Sequence, residues 1–143
     1  MDWARRTAKL SHARRLHVGA VIVKDDTVIS YGYNGMPAGW DNNCEYEVIV
    51  EDGDDYTTEL KTKPEVLHAE SNAIAKLAKS TNSGLGADLF VTHSPCMECS
   101  KLIFQSGIRR VFYAEDYRDN AGITFLKNSG VKVEKYDVTK SND

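Results

Sequence analysis

From His68 onward the chain alternates helical and extended stretches, and this alternation limits the fold more than anything else in the sequence. A helical pattern runs from His68 to about Lys79, with Val66, Ala73, Ile74 and Leu77 along one stripe, and an apolar, β-branched run follows at Ala87–His93. Pro95 to Ser106 is expected to be the next helix, stopped by Gly107, and Arg109–Ala114 the next strand. A last helix near Asn120–Asn128 ends before Gly130 and leads into a final strand at Val131–Tyr136. Strands that alternate with helices in this way pair in parallel through right-handed crossovers. The expected class is α/β, a three-layer α/β/α sandwich.

The first half has a different character. The first dozen residues form a helical pattern, with Trp3, Ala4, Leu10 and several basic residues and neither Gly nor Pro. His17–Val23 and Val28–Tyr33 are β-branched runs on either side of Lys24-Asp25-Asp26-Thr27, which predicts an antiparallel hairpin. Gly32 to Gly39, with Pro37, predicts a loop. Asp41–Glu65 carries nine acidic residues against two lysines around Asp52-Gly53-Asp54, and is expected to be a solvated insertion with at most a short strand at Tyr46–Val50. No repeat, heptad or low-complexity tract divides the chain, so residues 1–143 are expected to form one domain.

Charge and cysteine usage narrow the function classes. A formal net charge of −3 opposes a general nucleic-acid binder, although it is compatible with a local basic pocket for one nucleotide. Met1–Leu10 has no apolar core of a secretion signal, and the Val18–Val23 stretch is too short to cross a bilayer. A cytoplasmic protein without a membrane partner is expected. Of the three cysteines, Cys96 and Cys99 form a Cys-x-x-Cys, and an odd count without a secretion signal points to reduced thiols and to metal or redox chemistry.

The chemistry is concentrated in His68-Ala69-Glu70 and in Pro95-Cys96-Met97-Glu98-Cys99. One imidazole and two thiolates make three protein ligands, which leaves zinc a coordination position for water; structural zinc sites use four. Zinc lowers the pKa of such a water to about 7. Ser94 is a suitable N-cap and Pro95 a suitable first helical residue, which would place both cysteines in the first turn, on one face, among N–H groups that favour thiolate. Glu70 falls inside the apolar stripe of the preceding helix, where burial raises a carboxyl pKa and suits it to carry a proton in both directions near neutrality. Thr62-x-x-Glu65 has the form of a capping box, which would start that helix early and turn His68 and Glu70 to nearly opposite faces. For both to serve one metal, the regular helix must begin at about Leu67 or His68. Taken singly, each element has an ordinary explanation: a redox or structural Cys-x-x-Cys, a satisfied core histidine, a paired buried glutamate. In this order, with Pro before the first cysteine, they point to a catalytic metal.

At these residues the chain resembles the zinc-dependent cytidine and deoxycytidylate deaminase superfamily, whose signature is His-x-Glu followed by Pro-Cys-x-x-Cys. The resemblance implies one catalytic Zn²⁺ held by His68, Cys96 and Cys99, attack of zinc-activated water on carbon 4 of a pyrimidine, and Glu70 as the group that protonates ring nitrogen 3 and then helps the amino group leave as ammonia. It also implies a mixed five-stranded sheet between helices. Gly32-Tyr33-Asn34-Gly35-Met36-Pro37-Ala38-Gly39, after Val18-Gly19-Ala20-Val21-Ile22-Val23, is similar to the deoxycytidylate deaminases in particular. So are His68–Ile74, Lys101–Ile108 and Asp116-Tyr117, while the likeness weakens in the acidic insertion and the last dozen residues.

By position, the resemblance implies Asn34, Ala69, Ser94 and Tyr117 as substrate-binding residues, Asn34 on the deoxyribose and Tyr117 beside the base or phosphate. The ordinary alternatives are a turn asparagine and a half-buried aromatic. The implied reaction is dCMP to dUMP and ammonia, supplying dUMP for thymidylate synthesis. Many such proteins are hexamers activated by dCTP and inhibited by dTTP with Mg²⁺, which makes Gly32, Tyr33, Asn34 and Gly35, together with Arg14 and Arg15, candidate effector residues. Arg5 and Arg6 are better explained as a solvated helix face. A second, structural zinc occurs in some relatives; Cys44, His12, His17 and His93 have no ligand spacing that predicts one. A tRNA adenosine deaminase would need a basic groove, which the acidic composition opposes. The Tyr33–Gly39 stretch disfavours a nucleoside deaminase, and Glu70 disfavours a non-catalytic zinc scaffold.

Overall fold

The chain is described by a computed structural model, in which residues 1–136 are placed. Helix α1 (Asp2–Ala8) is followed by β1 (Gly19–Lys24) and β2 (Thr27–Tyr33), which pair antiparallel from Lys24 opposite Thr27 to Gly19 opposite Tyr33. Asp25 and Asp26 close this hairpin with φ of 51° and 60°, the left-handed pair that a tight two-residue turn demands. Helix α2 (Ala69–Leu77), β5 (Asp88–His93), α3 (Met97–Gln105), β6 (Arg110–Glu115), α4 (Ala121–Asn128) and β7 (Lys132–Lys135) then alternate as expected. The main sheet has the order β2-β1-β5-β6-β7; β1 runs antiparallel to both neighbours, and β5, β6 and β7 are parallel.

Side-chain alternation along β1 explains the layering. Ala20 and Ile22 join Leu89, Val91 and Val111 on the face where Ala73 and Leu77 of α2, Ile103 of α3 and Leu126 of α4 complete the core. Gly19 faces the other way, where a Cβ would run into the Ala4 carbonyl and lie 2.5 Å from the Ala8 nitrogen, so α1 packs directly on the strand. Gly32 does the same for the opposite layer: a Cβ there would run into the Ala69 carbonyl and lie 2.6 Å from the Ala73 nitrogen. The first turn of α2 is thereby seated on β2. The mixed five-stranded sheet and the α/β class both hold.

Three local expectations need correction. The acidic insertion is not a loop with a short strand but a regular hairpin, with β3 (Glu45–Asp52) paired to β4 (Asp55–Thr62) across Gly53-Asp54, and Gly53 at φ 64°. Tyr46, Val48 and Val50 alternate with Glu45, Glu47 and Glu51, and Tyr56, Thr58 and Leu60 with Asp55, Thr57 and Glu59, but the density of acids and the exposure of most of the arm on both faces give it the composition of a solvated loop. The first helix ends at Ala8 rather than Ser11–His12, because the Ser11 hydroxyl accepts the Ala13 N–H and donates to the Asn34 carbonyl, bonds that compete with helix continuation. Finally, α3 is capped by Cys96, not by Ser94, whose hydroxyl is engaged with Tyr117. The other helix and strand ends move by a residue or two. No helix among the described residues is long and apolar enough to cross a membrane.

Candidate metal centre

The two helix starts that face the pocket carry the ligands. His68 is the N-cap of α2, as the metal argument required, and Thr62 is the last residue of β4 rather than part of a capping box. Cys96 is the N-cap of α3, where its sulfur accepts the Cys99 N–H at 3.5 Å. The cap thus does two things: it satisfies a first-turn N–H and leaves the sulfur at the positive end of the helix. His68 Nδ1 lies 3.6 Å from Cys96 Sγ and 3.4 Å from Cys99 Sγ, and the three ligand atoms fall within 4.8 Å of one another. Ligands at about 2.3 Å (sulfur) and about 2.0–2.1 Å (nitrogen) around tetrahedral zinc are about 3.5–3.8 Å apart. The donor set fits such an ion, and among the described residues no other His, Cys, Asp or Glu joins it.

Protonation follows from this crowding. Hydrogen bonds from the Cys99 thiol and from His68 hold Cys96 down to about 3, so it is a thiolate, while the neighbouring thiolate and burial push Cys99 well above the usual thiol range. The Cys96 sulfur also raises the His68 pKa. Glu70, in the first turn of α2, is only 5% exposed, and burial raises its carboxyl to about 7. It lines the same cleft as His68 and Cys96, a cavity of about 670 Å³. That volume suits a small-molecule ligand.

The substrate candidates come together at this cleft, though their bonds differ from those expected. Asn34 does not occupy the left-handed region; its amide accepts the Val18 N–H at 2.9 Å and donates to the Leu16 carbonyl at 2.8 Å, fixing the irregular segment that forms one wall. Ser94 Oγ accepts the Tyr117 N–H at 2.8 Å and donates to the Tyr117 carbonyl at 3.2 Å, which ties the β6–α4 loop to the end of β5. The Tyr117 ring stands edge-on to His93, with the Arg118 guanidinium 5.1 Å from its centroid. Ala69 is fully buried at the cleft floor.

The candidate effector set divides. Asn34 and Arg15 line the cleft, whereas Gly32, Tyr33, Gly35 and Arg14 do not. Gly32 and Tyr33 belong to the β1–β2 ladder, and the N–H groups of Asn34 and Gly35 are donated to the Val18 and Leu67 carbonyls. Those two N–H groups are therefore not free to cradle a phosphate. Arg14 is turned to Glu45, Glu47 and Asn43.

Several cleft residues escaped the sequence reading. Arg118 enters the cleft from a left-handed backbone position, φ 55°, with no motif to mark it beyond its place after Tyr117. Glu45, in the insertion taken for a solvated loop, is 1% exposed and lines the cleft. His93 is a neutral wall residue: burial lowers its pKa, Thr92 Oγ1 lies 2.9 Å from Nδ1, and Nε2 lies 3.2 Å from Glu115. The Glu115 carboxylate can only accept, so Nε2 carries the hydrogen facing it and Nδ1 accepts the Thr92 hydroxyl, which also accepts the Gly19 N–H.

Comparison with known proteins agrees with this geometry. The model of the cytidine and deoxycytidylate deaminase zinc-binding region matches residues 1–115. The chain is 38% identical over 125 residues to ComE operon protein 2 of Bacillus subtilis, a match covering 87% of this chain and 62% of that protein. It is 35% identical over 158 aligned positions to the deoxycytidylate deaminase of Enterobacteria phage T4, covering 87% of this chain and 80% of the relative. Among solved structures, the dCMP deaminase of cyanophage S-TIM5, in complex with dCMP and dUMP, superposes with a TM-score of 0.83 at 43% identity, over 94% of this chain and 92% of that one.

Proposed function

Because the chain belongs to the cytidine and deoxycytidylate deaminase family, we propose that it hydrolyses dCMP to dUMP and ammonia. His68, Cys96 and Cys99 would hold the zinc, which supplies an electrophilic centre able to make a water nucleophilic near neutral pH. Glu70 does the proton work. Its carboxylate takes the proton that the attacking water loses and delivers it to nitrogen 3 of the ring as carbon 4 becomes tetrahedral, then passes the remaining hydroxyl proton to the amino group, so that the C4–N bond breaks, ammonia leaves and the C4 carbonyl forms. A carboxyl raised to about 7 by burial is present in both forms near neutrality, which this two-way transfer needs. Asn34, Ala69, Ser94 and Tyr117 line the cleft in which the pyrimidine and sugar would sit. Ala69 has no polar side chain, so its contribution is the first-turn N–H of α2, which has no intrahelical acceptor. Arg15 and Arg118 line the cleft as cations suited to the 5′-phosphate.

The observation that carries this reading is a buried carboxyl group beside three residues able to hold one metal ion in the same cleft, an arrangement that a purely structural metal does not need. The zinc-loaded protein should release ammonia from dCMP in preference to dCDP, deoxycytidine, cytidine or a short oligonucleotide. Activity on the oligonucleotide alone would overturn the substrate assignment. Supply of dUMP for thymidylate synthesis, a hexameric assembly, activation by dCTP and inhibition by dTTP with Mg²⁺ form the finer part of the proposal and rest on the resemblance. dCMP titrations with and without each triphosphate test the regulation, and sedimentation tests the assembly.

A further inference from the structure

The segment from Ser11 to Val18 forms a wall of the cleft without being helix or strand, so its shape depends on what its backbone is bonded to. Asn34 holds its far end. Its near end is held by Glu45, the first residue of β3, whose carboxylate accepts the backbone N–H of Arg14 at 2.7 Å and that of Arg15 at 3.2 Å. Two consecutive N–H groups on one oxygen form a small anion-binding nest, here filled by the chain's own carboxylate. A buried anion beside a phosphate site would be adverse if uncompensated. Arg14 supplies the compensation through Nε, 3.4 Å from the second carboxylate oxygen, and is further engaged by Glu47 and Asn43.

Of these two neighbouring arginines, Arg15 is thereby the one left to face the cleft. Its Nη1 donates to Thr62 Oγ1 at 3.0 Å, and among the described residues its other guanidinium donors have no protein partner. Thr62 is the cross-strand partner of Glu45, so one rung at the base of the arm grips both the backbone and the side chain of Arg15.

We propose that the β3–β4 arm is the phosphate-selectivity element of this chain: Glu45 and Thr62 are positioning residues that hold the Arg15 guanidinium at the cleft for the 5′-phosphate of the substrate. The proposal rests on the reading of the site as a nucleotide deaminase. It gives a task to the insertion that looked like a solvated loop.

The test compares dCMP with deoxycytidine, which lacks the phosphate, using zinc-loaded Thr62→Val and Glu45→Gln. Thr62 is exposed and valine suits a strand, so Thr62→Val is the variant expected to fold unchanged. Loss of a hydrogen bond that orients a charged group should raise KM for dCMP about tenfold, with kcat within about twofold. Turnover of deoxycytidine should change by less than about twofold, so the dCMP preference falls about tenfold. Glu45→Gln should act in the same direction and more strongly. A preference for dCMP that survives in Thr62→Val, or equal losses on both substrates, overturns the arm's role while leaving the deaminase reading intact. A wild-type protein that does not prefer dCMP overturns both.

Discussion

His68 and Cys96 are the N-caps of two different helices, and the two caps face each other with Nδ1 and Sγ 3.6 Å apart. Each ligand is thus fixed by the start of a helix rather than by a flexible loop, and Cys99 follows from the turn that Cys96 begins. A metal placed between these caps joins α2 to α3.

Zinc uptake should release protons. In the metal-free protein the Cys99 thiol keeps its proton and the His68 pKa is raised, yet both groups must be deprotonated to bind zinc. Adding zinc to the metal-free protein in weak buffer should acidify the solution, and affinity should weaken as pH falls. Affinity independent of pH between about 6 and 8 would contradict the ligand assignment.

Glu70→Gln should retain zinc and lose turnover by about 10²–10⁴-fold, the usual worth of positioned proton transfer. Zinc content and single-turnover rates on dCMP check both halves of that expectation.

The same substitution should stabilise the metal-free protein above neutrality. Burial raises Glu70 from 4.5 to about 7, so the folded state binds the extra proton. Stability linked to this group is full below about pH 4.5 and falls as pH rises to about 7, by on the order of 3 kcal/mol. Glu70→Gln removes that loss, so its gain in melting temperature over wild type should be larger at pH 8 than at pH 5. An identical gain at both pH values would mean that the carboxyl is not held neutral by burial.

Gly32→Ala should weaken the metal site from a distance. The added Cβ has to displace the backbone of α2 at Ala69 and Ala73, a cost of about 1–3 kcal/mol for overpacking, and His68 stands at the start of that helix. A lowered melting temperature together with reduced zinc affinity is expected; Gly35→Ala, where a Cβ meets open space, is the control.

Ser94→Ala removes both bonds that hold Tyr117 to the end of β5. KM for dCMP should rise about tenfold, with a smaller change in kcat, because the lost bonds position the binding wall and not the proton carrier. Steady-state kinetics on the zinc-loaded variant decide it.

How much of this was legible in the sequence depended on whether a residue's surroundings came from its own element. His68, Glu70, Cys96 and Cys99 were visible because ligand spacing and helical position are local properties, and even the start of α2 followed from asking that His68 and Glu70 serve one site. The parallel order of β5, β6 and β7 followed from the alternation of elements. Glu45 was not legible, since its burial comes from Arg14 and Arg15, some thirty residues away in sequence. Ser94 was assigned the cap that Cys96 fills, because nothing local shows that Tyr117 will claim the hydroxyl. Nor was it legible that the Asn34 and Gly35 N–H groups are taken up by Val18 and Leu67, since those pairings arise only once the chain has folded.

The arm formed by β3 and β4 is a ribbon with two unprotected margins, and ribbons of that kind template the addition of further strands. Tyr46, Ile49 and Tyr56 stand exposed on it among the exposed acids Glu51, Asp54, Asp55 and Glu59, whose like charges oppose the stacking of neighbouring molecules there. Replacing those acids by their amides should therefore promote self-association through the ribbon while leaving the melting temperature unchanged, which light scattering set beside thermal unfolding checks.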